Sequence, residues 1–128
     1  MNPLTSEWVE KAEGDFATAA RESRVRKAPN YDGVCFHAQQ CAEKYLKAVL
    51  QEAGIAFAKT HNLAALLDPI VAMEISWEMM RPALRQLTNY SVNVRYPGET
   101  ADKATARECL AVARHVRSLA RLRLGLKP

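Results

Sequence analysis

Apolar side chains recur every three or four residues along most of the chain, which is the spacing of an amphipathic helix. In the first such stretch, Trp8, Ala12 and Phe16 fall on one stripe. No segment alternates apolar with polar residues as a half-buried strand would. The pattern predicts four long helices and one short helix, at residues 6–24, 32–53, 63–73, 75–92 and 102–122, of which the third is the short one.

Glycine, proline and capping residues divide these helices. Gly54 is a natural stop for the second helix, because glycine adopts the left-handed conformation without strain. Pro82 lies inside the fourth stretch, so the helix either kinks there or begins afresh with the proline in its first turn. Candidate N-caps of the first three helices are Ser6, then Asn30 or Asp32, then Thr60 or Asn62.

The composition agrees with an all-α fold. The 128 residues are 48% hydrophobic, and only five glycines and six prolines interrupt them. Helices joined by short connections form an up-and-down antiparallel bundle, so we predict a single helical domain over residues 1–128. No apolar run approaches the roughly 20 residues that span a bilayer, and no signal peptide is present at the start of the chain. We therefore expect a cytoplasmic protein that does not contact a membrane.

The three cysteines, Cys35, Cys41 and Cys109, form an odd set, which argues against a disulfide framework. Cys35 and Cys41 lie about 9 Å apart along one predicted helix, which is too far for a bond between them. No CxxC, HxxxH or HExxH spacing occurs. We therefore expect no metal and no cofactor, and interpret the cysteines as small buried apolar residues.

A net charge of +4 and a pI near 9.1 favour an anionic partner without requiring one. The last predicted helix carries a basic row opposite its apolar stripe, at Lys103, Arg107, Arg114, Arg117 and Arg121, and all but Arg117 are predicted anion contacts. Such a row can follow a phosphate backbone, or it can be the solvated face that any surface helix presents. Repulsion between Lys103 and Arg107, four residues apart, slightly favours the external anion.

The segment Arg95-Tyr96-Pro97 places a cation and a phenol ring at the point where the helical pattern breaks. An arginine fork matches phosphate and a tyrosine ring can stack on a base, so Arg95 and Tyr96 are the first candidates for ligand contact. In the structural alternative, Tyr96 packs on the end of the bundle while Arg95 pairs with a helix C-terminus or with Asp15. That carboxylate lies on an apolar stripe and needs a partner.

Among the histidines, His61 stands just before the third predicted helix. There it could bind an anion at the helix N-terminus or make a structural hydrogen bond. We expect His37 to be exposed or to contact a second subunit, and His115 to lie at the surface. The predicted ligand-binding residues are Arg95, Tyr96, His61 and Asp15.

Two polar residues, Gln39 and Glu43, interrupt an otherwise apolar flank of the second predicted helix. Such a flank is typical of a subunit interface in which polar groups pair across the seam, although it also suits an internal contact with the first helix. The predicted dimer interface consists of Phe36, Gln39, Glu43, Leu46 and Leu50.

Five motifs stand in order along the chain and cover most of it: Trp8 with Lys11-Ala12-Glu13-Gly14-Asp15, the helix from Cys35-Phe36-His37 to Leu50, Thr60-His61-Asn62-Leu63, Leu87-Thr88-Asn89-Tyr90 and Arg95-Tyr96-Pro97. Each is weak alone, but the ordered set resembles the HEPN domain family, named for nucleotide binding in prokaryotes and higher eukaryotes. The resemblance implies an all-α bundle, commonly a homodimer. It also implies work beside a small nucleotidyltransferase-like protein, often in a toxin–antitoxin or other defence system, and in many members the binding of a nucleotide or RNA.

One subset of that family consists of metal-independent ribonucleases, whose signature is an arginine, four to six residues and then a histidine near the final helix. Here the places where that histidine would stand, after four to six residues beyond Arg95, are occupied by Thr100, Ala101 and Asp102. None of the three histidines has an arginine at that distance before it. We therefore expect a nucleotide- or RNA-binding domain and assign no catalytic residue. Two alternatives stay open: a ribonuclease toxin with a displaced active site, and a structural protein-interaction module without a ligand.

Overall fold

The computed structural model describes residues 1–128, and all of its regular structure is helical. We number the α-helices α1 (Pro3–Ser23), α2 (Tyr31–Glu52), α3 (Leu63–Met73), α4 (Arg81–Asn93) and α5 (Lys103–Arg123), and a 3₁₀-helix spans Ile75–Met80. The prediction of an all-α bundle is confirmed, and the chain contains no strand. None of the helices combines the length and the apolar character needed to cross a membrane.

Asparagine side chains cap the first three helices, at Asn2, Asn30 and Asn62. Each side-chain oxygen accepts a hydrogen bond from a backbone N–H that has no partner inside the helix. α1 begins before the predicted Ser6, because Asn2 already caps it and Pro3 fits the first turn.

The fourth predicted stretch is divided in two. The chain runs as a 3₁₀-helix as far as Met80, and α4 then starts at Arg81 with Pro82 in its first turn, where a missing N–H costs little. Of the two alternatives, the fresh start is the one that the protein adopts. Gly54 follows α2 with a φ of +71°, which agrees with its predicted role as a stop.

α2 lies at the centre of the bundle and contacts each of the other four helices. More than half of its residues are buried, among them Tyr45, Leu46 and Leu50. The three cysteines are also buried and unbonded. Because neighbours cover α2 on nearly every side, its polar side chains have to find partners inside the protein.

A charged cluster around Glu13 joins α1, α2 and α5. Arg117 donates two hydrogen bonds to the Glu13 carboxylate, at 2.7 and 2.8 Å, and the Tyr45 hydroxyl donates a third. Arg121 donates to the Tyr45 oxygen at 3.2 Å. Burial raises the pKa of the Glu13 carboxyl, but the bonds from Arg117 and Tyr45 lower it by more, so this pKa lies below its ordinary value of 4.5.

Because its pKa is lowered on folding, Glu13 contributes stability that is present above pH 4.5 and is lost as the pH falls through the lowered pKa. We expect Glu13→Gln to unfold at a lower temperature than the wild type at neutral pH, and this difference to shrink at about pH 3. Thermal unfolding followed by circular dichroism at both pH values measures it. Glu10→Gln, at an exposed position of α1, is the control. A difference of equal size at both pH values would contradict the assignment.

Candidate functional site

A cleft of about 480 Å³ opens where the start of α3 meets α4 and the turn that follows α4. Its volume falls within the range of roughly 300–1,000 Å³ that is typical of small-molecule sites. We call it the arginine cleft, and its lining residues are Gln39, His61, Asn62, Ala64, Arg85, Thr88, Asn89, Ser91, Val92 and Arg95.

Two guanidinium groups, those of Arg85 and Arg95, border the arginine cleft, and neither belongs to an ion pair. No carboxylate lines the cleft, so their charge is not neutralised there. The Arg95 guanidinium carbon lies 5.7 Å from the centroid of the Phe36 ring, a cation–π contact that restrains the side chain. The cleft is therefore suited to an anionic ligand.

A buried carboxylate holds His61 at the edge of this cleft. Nδ1 of His61 lies 2.9 Å from one oxygen of Glu43, and the other oxygen accepts from Nζ of Lys47 at 3.0 Å. The side chain of Glu43 is 4% exposed, whereas that of His61 is 74% exposed. Gln39 fixes the backbone at the same point, since its Nε2 donates to the His61 carbonyl oxygen at 2.9 Å.

This arrangement sets which ring nitrogen of His61 is available. A carboxylate only accepts hydrogen bonds, so the bond to Glu43 takes its hydrogen from Nδ1. A neutral ring then carries its lone pair on Nε2, which makes no hydrogen bond to the protein. A charged ring would present Nε2 as a donor instead. In either state, Nε2 can meet a ligand.

Four of the five residues predicted to form a dimer interface are buried within one protomer, and the prediction is wrong for them. Two are leucines of the core, and the other two hold His61 from inside. Only Phe36 keeps a substantial exposed surface. The four buried residues are Gln39, Glu43, Leu46 and Leu50.

Asp15 finds the partners that its position requires, but they belong to α2. Its Oδ1 lies 2.8 Å from Nδ1 of His37, and its second oxygen accepts from Nζ of Lys44. Asp15 neither lines the arginine cleft nor pairs with Arg95, so the structure separates it from the other predicted ligand residues. The expectation that His37 is simply exposed is also corrected, because Asp15 holds it.

Tyr96 lies outside the cavity. Its side chain is among the exposed large apolar groups, and it does not line the arginine cleft. The phenol ring is therefore not sealed against the end of the bundle. It stays at the surface, one residue beyond the guanidinium of Arg95.

The basic row of α5 separates into two groups. Arg114 lies over the Phe16 ring, 5.6 Å from its centroid, and Arg121 donates to Tyr45, so both are engaged within the protomer. Lys103 and Arg107 are exposed, belong to no ion pair and border a separate cleft. The four residues therefore do not form one continuous anion-binding row.

Of the ten lining residues, only His61 and Arg95 were predicted to bind a ligand, and Arg85, Asn89 and Ser91 are among those that were missed. Arg85 and Asn89 are one helical turn apart, which places them on the same face of α4 once its start is known. That spacing was the available signal in the sequence. Because the helix could either kink or restart at Pro82, the sequence did not show which way this face of α4 points. Ser91 borders the cleft with a buried hydroxyl that has no hydrogen-bond partner in the protein, a state that is uncommon for a buried polar group.

Comparison with known proteins decides the family. The HEPN domain family matches residues 5–123 of the chain. The chain belongs to the HEPN family. It is also similar to the protein named "Putative toxin MJ1304" of Methanocaldococcus jannaschii, with 29% identity over 126 residues that cover 85% of this chain and 80% of that protein.

Solved structures share the same HEPN helical fold. TT1696 from Thermus thermophilus superposes with a TM-score of 0.78 at 22% identity, covering 92% of this chain and 96% of that one. ST0689, described as an archaeal HEPN homologue, superposes with a TM-score of 0.75 at 23% identity, covering 94% and 97% of the two chains.

The Glu43 contacts lead to a stability prediction. We expect Glu43→Ala to lower the free energy of unfolding by about 3 kcal/mol, because it leaves Lys47 buried without a partner. Glu43→Leu/Lys47→Met removes both charges and should recover much of that loss. Urea unfolding measures all three proteins, with Glu10→Ala as an exposed control. Equal stability of Glu43→Ala and the wild type would show that the carboxylate is not held in this way.

Proposed function

We propose that this HEPN protein binds a nucleotide or a short segment of RNA in the arginine cleft. The observation that carries the proposal is the convergence of Arg85, Arg95 and the anchored ring of His61 on one cleft that no carboxylate lines. An arginine fork can bind phosphate oxygens with two parallel hydrogen bonds, and the cleft contains two such arginines. The side chains of Thr88 and Asn89 supply neutral donors and acceptors for a ribose or a base.

Tyr96 extends the proposal to the base of the ligand. An exposed aromatic ring beside a phosphate-binding arginine offers a face for stacking, which tolerates any base because every base has a π-face. Asp15 takes no part in the proposed site, since its two oxygens are occupied by His37 and Lys44.

The binding prediction concerns the two arginines. We expect Arg85→Gln and Arg95→Gln each to weaken binding of AMP or a short oligoribonucleotide about tenfold, which corresponds to about 1.4 kcal/mol. Calorimetric titration at two salt concentrations measures the change. Lys59→Gln, exposed and outside the cleft, removes the same charge and serves as the matched control. A wild-type protein that gives no heat with nucleoside phosphates or RNA at either salt concentration would remove the proposal.

One specific observation favours a second candidate, a metal-independent ribonuclease whose site is displaced from the motif near the final helix. The bond from Nδ1 of His61 to Glu43 orients the ring and leaves Nε2 free to take the proton of an RNA 2′-hydroxyl. As that oxygen bonds to the adjacent phosphorus, the bond from phosphorus to the 5′-oxygen breaks, and the departing 5′-oxygen takes up a proton from water. Arg85 and Arg95 stabilise the negative charge that grows on the phosphate. The similarity to the protein named "Putative toxin MJ1304" agrees with this candidate.

Cleavage of RNA in the presence of a chelator separates the two candidates. If His61 is the general base, His61→Gln should slow cleavage by a factor of about 10²–10⁴, and the products should end in cyclic phosphate. Glu43→Gln should retain part of the activity, because the ring is still present but less well oriented. His115→Gln, at an exposed position of α5, is the control. If the wild type does not cleave RNA, the ribonuclease candidate fails and binding remains the proposed function of the cleft.

We also propose that the protein acts as a homodimer beside a nucleotidyltransferase-like partner in a two-component system. The HEPN family match and the similarity to the protein named "Putative toxin MJ1304" support this proposal. Phe36 is the part of the predicted interface that keeps free surface, and it lies against Arg95. Co-purification with a nucleotidyltransferase-like protein encoded beside this one tests the partner.

Light scattering tests the dimer. We expect Phe36→Lys to yield a monomer, because the added cation lies beside Arg95, finds no partner there, and cannot be buried against a second copy. Leu122→Lys places the same charge on another exposed apolar residue, and should keep the mass of the wild type. A monomeric wild type would exclude the homodimer, and a dimeric Phe36→Lys would exclude the interface at Phe36.

A further inference from the structure

A second cleft, of about 460 Å³, lies between the end of α1 and the start of α5. Four of its seven lining residues are cationic, namely Arg24, Arg26, Lys103 and Arg107, and none is acidic. We call it the basic cleft. All four cations are exposed, so a ligand at the surface can reach them.

The protein does not neutralise these four charges. None of them belongs to an ion pair or donates a side-chain hydrogen bond. Three acids near them, Glu22, Asp32 and Asp102, each accept from a backbone N–H instead, at 3.1, 2.7 and 2.7 Å. Glu108, which follows Arg107, accepts from the Tyr90 hydroxyl at 3.2 Å.

Both walls of the basic cleft are held by the backbone. Arg24 is the C-cap of α1, and its N–H donates to the Arg21 carbonyl oxygen at 3.2 Å. Lys103 is the first residue of α5, directly after the N-cap Asp102. Cations on fixed elements lose less freedom on binding than those of a flexible tail, so this arrangement favours a bound anion.

The two clefts lie on either side of the turn that joins α4 to α5. At one end of that turn, Arg95 contacts the Phe36 ring on α2. At its other end, the Ala101 N–H donates to Asp32, one helical turn closer to the start of α2 and next to Tyr31 of the basic cleft. The two clefts therefore follow one another along the first turns of α2.

We propose that the basic cleft is a second phosphate-binding site, which holds the backbone of an RNA strand that continues from the arginine cleft. Three of its four cations are arginines, whose planar forks match phosphate oxygens, and an RNA backbone supplies regularly spaced negative charges. This inference rests on the proposed function for its first contact. It adds a length requirement, because only a strand that reaches both clefts gains the second contact.

The test compares Lys103→Gln/Arg107→Gln with Lys11→Gln/Lys59→Gln, which loses the same charge at exposed positions outside both clefts. Fluorescence anisotropy over a salt series measures the affinity for a labelled single-stranded RNA of about 16 nucleotides, a length within the site sizes of single-strand binders. Calorimetry measures the affinity for AMP.

We expect the basic-cleft variant, Lys103→Gln/Arg107→Gln, to bind the long RNA about tenfold more weakly at low salt. The slope of log K against the logarithm of the salt concentration should become shallower by about 1.4, because each lost phosphate contact to a single strand removes about 0.7. Its affinity for AMP should stay unchanged. The Lys11→Gln/Lys59→Gln protein should match the wild type with both ligands.

An unchanged affinity and salt slope for the long RNA would overturn the inference, and so would an equal loss in the control variant. Polyglutamate that binds the wild type and is not displaced by RNA would show that the occupant is an acidic protein segment. If Arg95→Gln affects no ligand while Lys103→Gln/Arg107→Gln still weakens RNA binding, the proposed function fails and the basic cleft stands as a site of its own. If Arg95→Gln weakens binding while Lys103→Gln/Arg107→Gln does not, the basic cleft is excluded as a site and the arginine cleft is retained.

Discussion

The burial of α2 on nearly all of its faces is the constraint on which the rest of the structure depends. A helix that four others surround cannot turn its polar side chains into water, and an unpaired charge there would be strongly destabilising. Glu43 therefore pairs with Lys47 and His61, and Gln39 bonds to the backbone of His61. These bonds bring the segment before α3 onto α2, and the arginine cleft forms where that segment meets α4.

The same requirement divides the basic residues of the protein into two classes. Arg117 and Arg121 satisfy Glu13 and Tyr45 where α1, α2 and α5 meet, so their charge is used to hold the helices together. The four cations of the basic cleft have no such partner, and Glu22, Asp32 and Asp102 near them accept from backbone amides instead. Six cations that belong to no ion pair line the two clefts, Arg85 and Arg95 in one and Arg24, Arg26, Lys103 and Arg107 in the other.

Helical periodicity predicted the elements of this fold because α1, α4 and α5 each have a covered face and an open face. It located the start of α1 less well, because Ser6 and Asn2 are both good caps and only the structure shows which one is used. The pattern also showed that Gln39 and Glu43 needed partners, but it could not say what covers them. Both residues find hydrogen-bond partners within the protomer, in the segment at His61.

Arg95 and His61 were predicted separately, and their meeting in one cleft depends on the path of the chain between them. That path could not be read from periodicity, because the bonds that fix it join residues 18 and 22 positions apart. Arg85 was missed for a related reason: the face on which it lies depends on whether the helix kinks or restarts at Pro82. The order of the motifs, by contrast, was sufficient to predict the HEPN family, which the family match confirms.

The way in which His61 is held has a consequence for redesign. Its imidazole is visible at the surface, but its aim is set from within the hydrophobic interior by Glu43 and Gln39. A designer who transplanted only the visible lining onto another scaffold would obtain a freely rotating ring. The smallest unit that can be transplanted is a central helix with two inward polar residues one turn apart, a lysine that pairs with the acid, and the connecting segment to which the two polar residues are hydrogen-bonded.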